Sequence, residues 1–419
     1  MKRGALNMMR SLFSAVSGLR THQTRMDVIG NNIANVNTPG YKTSRATFQE
    51  VFSQTLKGAS SPSGTSTTER GGTNPMQVGL GVDVASIDTI QTPGNLQPTG
   101  RLTDLAIEGN GFFVVLDGET QAYSRVGVFS TDGDGVLVDY EGRKVLGWVA
   151  DSSGNLSPDR TGDNLKPLSI QIGSNMPAKA TENVQWIKNL DANSDQGTTK
   201  TTAVTVYDSL GRTHTVQVKF EKTDVNKWKW TATYPADTST PSVSGTITFN
   251  NDGSFHEVNQ QDFSFSPQGA DDVELKMDFS KLTQVAGPTT VEAGAVDGWP
   301  TGTLESFSFD STGVISGFYS NGKNLVLGQI ALANFRNPAG LIKLGNSLFI
   351  ESNNSGRVEI GPAGTAGRGT VAPAALEMSN VDLAEEFTQM IITQRGFQAN
   401  SRVITVSDEL LQELVNLKR

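Results

Sequence analysis

The side chains able to do chemistry in this 419-residue chain are few, and their spacing assembles nothing reactive. The three histidines, His22, His214 and His256, lie far apart. His22 falls in a helical pattern and His214 in a strand-like run, so neither a metal set nor a Ser-His-Asp triad can be built from them. There is no cysteine, which excludes disulfides, thiolate nucleophiles, Cys-based zinc sites and iron–sulfur clusters. TDGDGVLVD, around Asp132 and Asp134, begins like a calcium loop, but Val136 stands where the third oxygen ligand is required, leaving a hairpin turn. Gly109-Asn110-Gly111 resembles part of a dinucleotide fingerprint, yet strand residues Phe112 to Val115 follow where a helix has to begin. The 43 acidic residues single out no pair for glycoside hydrolysis. KWKWTATY is aromatic and basic, but Trp228 and Trp230 alternate onto one strand face, which reads as packing. No catalytic, metal or cofactor site is expected.

Composition points the same way. Hydrophobic residues make up 36% and charged residues 18%, with 44 glycines. That mixture suits short strands joined by tight turns. A net charge of −9 repels nucleic acid and anionic lipid, so neither is an expected partner. No apolar run approaches the ~18 residues of a membrane span. MKRGALNMMRSLFSAVSGLR starts basic, but Arg10 and its serines interrupt any apolar core, so it is not read as a Sec signal. Met8 and Met9 are alternative starts.

The elements that would position any site are helical at the ends and β between. Leu12, Leu19, Met26 and Ile33 recur every seven residues, with Val16 and Ile29 beside them. Leu383, Met390, Phe397, Ile404 and Leu411 repeat the design, widened by Phe387, Ile391, Leu414 and Val415. Such narrow apolar seams are the mark of a coiled coil. Asp382 with Glu385 makes a capping-box-like start, and Lys418 and Arg419 favour the far end of the dipole. A helix with so narrow a stripe does not hold alone, so both are expected to be poorly ordered in the monomer and to pair as copies assemble. Asx-Gly hairpin signals occur at Asp117-Gly118, Asp132-Gly133, Asp252-Gly253 and Asn321-Gly322. The expected fold is mixed and mainly β. Paired long helices from the two termini form a coiled-coil core, and two β-rich domains follow, the outer inserted in the inner. The expected boundaries are 1–36 N-terminal helix, 37–78 linker arm, 79–151 and 302–365 inner β domain, 152–301 inserted outer domain, 366–381 return linker and 382–419 C-terminal helix.

Between the first seam and the arm stands NNIANVNTPGYKTSR. Asn35, Asn37 and Thr38 suit a helix exit, because asparagine tolerates left-handed backbone. Pro39 disfavours helix at Thr38, and Pro39-Gly40 suits a type II turn. With no catalytic partner nearby, this stretch reads as a mechanical joint, its asparagines and Tyr41 contacting neighbouring copies.

SLFSAVSGLRTHQTRMDVIGNNIANVNTPGYKTSRATFQE is similar to the N-terminal segment of the bacterial flagellar rod and hook axial proteins. SNVDLAEEFTQMIITQRGFQANSRVITVSDELLQELVNLKR resembles their C-terminal segment, and LTDLAIEGNGFFVV the opening of their β domain. VTVYDSLGRTHTVQVKF and KWKWTATYP resemble the outer domain of the hook members, so the resemblance covers nearly the whole chain. It implies a self-assembling subunit of an extracellular tube, a universal joint passing torque from rod to filament, exported through the flagellar type III apparatus without a cleaved signal. The implied partners are other copies of the chain, the distal rod, the hook cap and the hook–filament junction proteins. The competing readings are a distal-rod subunit and, from another class, a secreted β-rich adhesin or hydrolase.

Overall fold

The computed structural model describes residues 2–62, 71–235 and 242–416; Lys418, Arg419 and residues 63–70 of the arm lie outside them, as does the side chain of Leu414. Two long helices, α1 (Lys2–Ala34) and α2 (Leu383–Asn416), run antiparallel against each other. Asp382 caps α2, its Oδ1 accepting the backbone N–H of Ala384 at 2.8 Å and of Glu385 at 3.3 Å, as an N-cap aspartate should.

The pairing occurs within one chain, which corrects the expectation that it waits for assembly. Its contact line is polar and small. Ser11 meets Ser407, Arg25 meets Gln389 and Asn32 meets Glu386. Thr393 and Ser407 are buried. Two glycines permit the close approach. A Cβ on Gly18 would stand 2.7 Å from the Asn400 amide, and one on Gly396 would stand 2.7 Å from the His22 ring. Positions 11, 18 and 32 of α1 thus face 407, 400 and 386 of α2, with Arg25 reaching Gln389, along a seven-residue repeat lying beside the apolar one.

After α1 the chain forms a long antiparallel ribbon. β1 (Ser44–Glu50) pairs with β4 (Val82–Thr89) and rests on α1, and β2 (Ser53–Lys57) pairs with β3 (Met76–Gly79) further out. Both β2 and β3 are exposed along their whole length. The arm expected over 37–78 thus contains paired strand at 44–50, 53–57 and 76–78, and 82–89, expected in the inner domain, belongs to this ribbon.

The inner β domain is a 14-stranded sheet built from residues 112–176 and 302–361. It closes over two cores, one around Phe113, Leu137, Ile330 and Leu332, the other around Phe112, Trp148 and Phe335. Leu168, Ile170 and Met176 lie in the first of these cores, and Asn175–Met176 pairs with Gly302–Thr303. Residues 152–176 are thus inner domain, not insert: their Ser/Asn/Pro content looks like a boundary, but single apolar residues reach the core. The expected return linker is also structured, with Thr370–Pro373 paired to Leu105–Glu108 and Ala375–Glu377 to Leu96–Pro98. The outer domain, 177–299, packs a four-stranded sheet on a five-stranded one around Trp186, Phe220, Trp228, Trp230 and Phe279. Trp228 and Trp230 are wholly buried there, as core residues.

One turn recurs at Asp132, Asp139, Asp151, Asp208 and Asp310. Each aspartate Oδ1 accepts the N–H groups two and four residues on, and the glycine three residues on is left-handed, at φ of 75–82°. In TDGDG the left-handed residue is therefore Gly135, not Gly133 as the Asp132-Gly133 signal implied. Asp132 spends its oxygen on its own backbone, an Asx-type turn.

Because the helix pair meets through Gly396, replacing it with leucine forces His22 aside. Overpacking of this kind costs about 1–3 kcal/mol. The Gly396→Leu chain is expected to lose its helical signal at 222 nm at a lower denaturant concentration, with the β domains unfolding as before.

Candidate assembly joint and helix seams

The joint is a type II turn. The Tyr41 N–H donates to the Thr38 carbonyl at 3.3 Å, with Pro39 and Gly40 in the central positions and Gly40 at φ +68°, as this turn requires. A Cβ at Gly40 would also come within 3.0 Å of the Arg125–Val126 backbone. Before the turn, the Asn35 side chain bonds back to Asn31 and accepts from Thr38. Tyr41 Oη donates to Asn32 Oδ1 at 3.1 Å and to Asn31 Oδ1 at 3.3 Å. Asn37 is exposed.

Two asparagines carry the attachments around it. Asn32, buried, exchanges bonds with the Ser44 backbone and donates to Glu386 Oε1 at 2.9 Å, joining α1, β1 and α2. Asn380 accepts the Thr43 N–H and donates to the carbonyls of Ile90 and Thr92. Beneath the turn lies a buried charge cluster. Glu377 Oε1 accepts from Lys42 Nζ at 2.6 Å and from the Gly94 N–H at 2.8 Å, and its Oε2 accepts from Arg125 at 3.3 Å. Its own carbonyl takes the Gly40 N–H at 2.7 Å. Lys42 also donates to Thr92, and Arg125 donates to Gly109 over the Phe112 ring. Burial pulls the Lys42 and Arg125 pKa values below their ordinary range, against the opposing pull of Glu377. Every backbone crossing between the helix layer and the β domain (40–43, 90–94 and 377–380) is thereby held at one place.

The apolar seam lies one position off the helix–helix contact line on α1 and three positions off it on α2. Ile29 is buried; Leu12, Leu19, Met26 and Ile33 are half-buried, and Val16 is exposed. On α2, Met390, Ile404 and Leu411 are half-buried, while Leu383, Phe387 and Phe397 are exposed. Phe13, Ile391, Ile392, Val406 and Leu410 stand more than half exposed beside them. The ribbon adds Phe52, Leu56, Met76, Val78 and Leu80, all exposed and, by strand alternation, on one face.

Sequence reasoning missed Asn32, Lys42, Arg125, Glu377, Asn380 and Glu386. Asn32 had a local signal, its place on the seven-residue line of Ser11, Gly18 and Arg25 beside the apolar seam. Glu377 had none, since its partners are 252 and 335 residues away.

Two titratable groups load the helix pair in opposite directions. Burial, then the nearby Arg25, lowers the His22 pKa. Burial raises that of Glu386, against hydrogen bonds from Asn32 and Thr43. A base depressed in the fold costs stability as the pH falls below its unfolded value of about 6.5. Helix-pair stability is therefore expected to fall between pH 7 and 5.5, and His22→Gln to flatten that slope in pH-dependent unfolding. Glu377→Gln leaves two buried cations without a counter-charge, which costs about 3–5 kcal/mol. Chemical denaturation is expected to show this loss in the inner domain while the outer domain's transition stays put.

Four family models match the chain in order. They are the flagellar basal body rod protein (residues 12–42), the flagellar hook protein FlgE/F/G D1 domain (106–185), the flagellar basal body protein FlaE D2 domain (175–299) and the flagellar basal body rod FlgEFG protein C-terminal (372–417). The flagellar hook protein FlgE of Borreliella burgdorferi is 44% identical over 98% of this chain and 100% of its own length. The flagellar basal-body rod protein FlgG of Bacillus subtilis is 33% identical over 98% and 100%. The crystal structure of Helicobacter pylori flagellar hook protein FlgE2 superposes with a TM-score of 0.52 at 15% identity, over 67% of this chain and 100% of that one, a likeness of fold. With the outer domain present and the higher identity on the hook side, the chain belongs to the flagellar hook protein FlgE family, a structural component of the bacterial flagellum.

Proposed function

We propose that copies of this chain polymerise into the extracellular hook, with the helix pair lining the inner tube and the β domains stacked outward. The observation that carries this reading is the outward apolar face left on both helices after they have paired. Phe387, Ile391 and Ile392 stand exposed within two turns of α2, and Phe13 stands exposed on α1, apolar surface of the kind that marks an interaction site. Burying such side chains on neighbouring copies contributes about 1.5–3 kcal/mol each. Helix seams supply cohesion, and the polar β domains slide past one another as the tube bends. The exposed apolar face of the ribbon gives each copy a second hold on a neighbour. Asn35, Asn37, Thr38, Pro39, Gly40 and Tyr41 then form the joint between cohesive core and outer layers. By the same family reading, the finished tube meets the distal rod, the hook cap and the hook–filament junction proteins, after export through the flagellar type III apparatus.

The test changes the outward face alone. Phe387→Glu with Ile391→Glu leaves the intrachain line 386–393–400–407 intact. The variant is expected to stay a folded monomer under conditions where the native chain forms curved, flexible tubes in electron micrographs. Tubes of normal form from the variant would defeat the seam assignment, and straight, stiff native tubes would favour a distal-rod subunit.

A further inference from the structure

The connection between the two β domains is a pair of antiparallel segments, 177–181 leaving the inner domain and 297–301 returning. They bridge once, between Lys179 and Trp299, by hydrogen bonds of 3.1 Å in each direction. The outer domain grips this connector through its backbone. Thr181 and Tyr207 exchange two bonds of 2.9 Å. Asp297 Oδ1 accepts the N–H groups of Glu182 and Asn183 at 2.9 Å each. The turn at 208–212 presses in so closely that a Cβ on Gly211 would stand 2.9 Å from that of Ala178 and 3.1 Å from the Thr301 nitrogen. Connector and outer domain therefore move together.

The inner domain's hold is of another kind. Beyond the two-residue pairing of Asn175–Met176 with Gly302–Thr303, it rests on side chains. Asn321 Nδ2 donates to the Pro300 carbonyl at 2.9 Å. Lys323 Nζ sits 5.6 Å from the centroid of the Trp299 ring, which also has Lys179 at 5.5 Å. The half-buried indole itself packs on the edge of the inner core and donates its N–H to Pro177. Asn321 and Lys323 both come from one short turn between inner strands Val314–Tyr319 and Asn324–Ile330.

We infer that this connector is a releasable latch: Trp299, carried by the outer domain, docks on the inner domain under Lys323 and Asn321 and fixes the angle between the two domains. Undocking needs no strand to unpair. It breaks one side-chain hydrogen bond and one solvent-accessible cation–π contact and lifts a half-buried ring. The crossing at the helix layer is different, since opening it exposes a fully buried ion cluster. Of the two crossings, the Trp299 connector is thus the one that yields, whatever the copies do on assembly.

The absence of cysteine makes the test direct. Spin labels on Glu119→Cys and Val225→Cys, both exposed, report the inner-to-outer distance in the full unassembled chain. Labels on Glu119→Cys and Gln398→Cys report the helix layer. The native latch is expected to give one narrow distribution for the first pair. Asn321→Asp keeps the oxygen that accepts the Lys323 N–H but loses the donor to Pro300, and Lys323→Gln removes the cation. Together they are expected to broaden the first distribution at least twofold, leaving the second pair and the outer-domain melting temperature unchanged. If the double variant lowers inner-domain stability, Lys323→Gln alone still has to broaden the distribution. An unchanged width in these variants, or a native distribution already as broad, overturns the latch.

Discussion

A carboxylate buried between two cations is costly unless its geometry is good, and its removal costs more than its presence. Glu377 is such a group, and the architecture hangs from it. The chain crosses between the helix layer and the inner β domain at 40–43, 90–94 and 377–380. Side chain and backbone of this one residue reach the first two crossings, while Arg125 ties it to the domain below. The left-handed Gly40 lets the first crossing lie flat on the Arg125 backbone. The turn is a joint in shape, but its base is clamped.

Above the clamp, the helix pair divides its two faces between two tasks. Serine, threonine, asparagine and glycine line the contact between α1 and α2, where close approach and hydrogen bonds set register at modest gain in stability. Phe13, Phe387, Ile391 and Ile392 face outward, while Ile29 is buried and Leu12, Leu19, Met26 and Ile33 are half-buried. Reversing this division would give a tightly closed monomer with little left to drive association. As built, apolar surface stays exposed on both helices, and under the proposed assembly it is what other copies would cover.

The hairpins of the β domains are shaped for a local reason. Five Asp-x-x-Gly turns set their own geometry through one carboxylate and one left-handed glycine each, so hairpins do not depend on distant contacts for their shape. Under the proposed latch, compliance falls at the Trp299 connector, while the buried ion cluster holds the other crossing.

Much of this was legible from residue order alone. Helix and strand periods are local signals, so α1, α2, the β interior, the turn at Pro39-Gly40 and the Asp382 cap can be read within a few residues of each. The heptad seams announced two paired helices, and the nested order of the β blocks showed in composition. Three things were not legible. The face on which the helices meet lies one position from the apolar seam on α1 and three on α2, and its small polar residues carry no periodic hydrophobic signal. The inner domain reaches Met176, because two or three apolar residues in a polar stretch do not mark a strand until a core receives them. Glu377, Lys42 and Arg125 look like ordinary surface charges, because only a tertiary fold that closes separations of 252 and 335 residues buries them together. Sequence by itself determined which elements form and where each one turns; tertiary structure alone decided which surfaces meet, since burial is a property of the closed chain and not of any stretch of it.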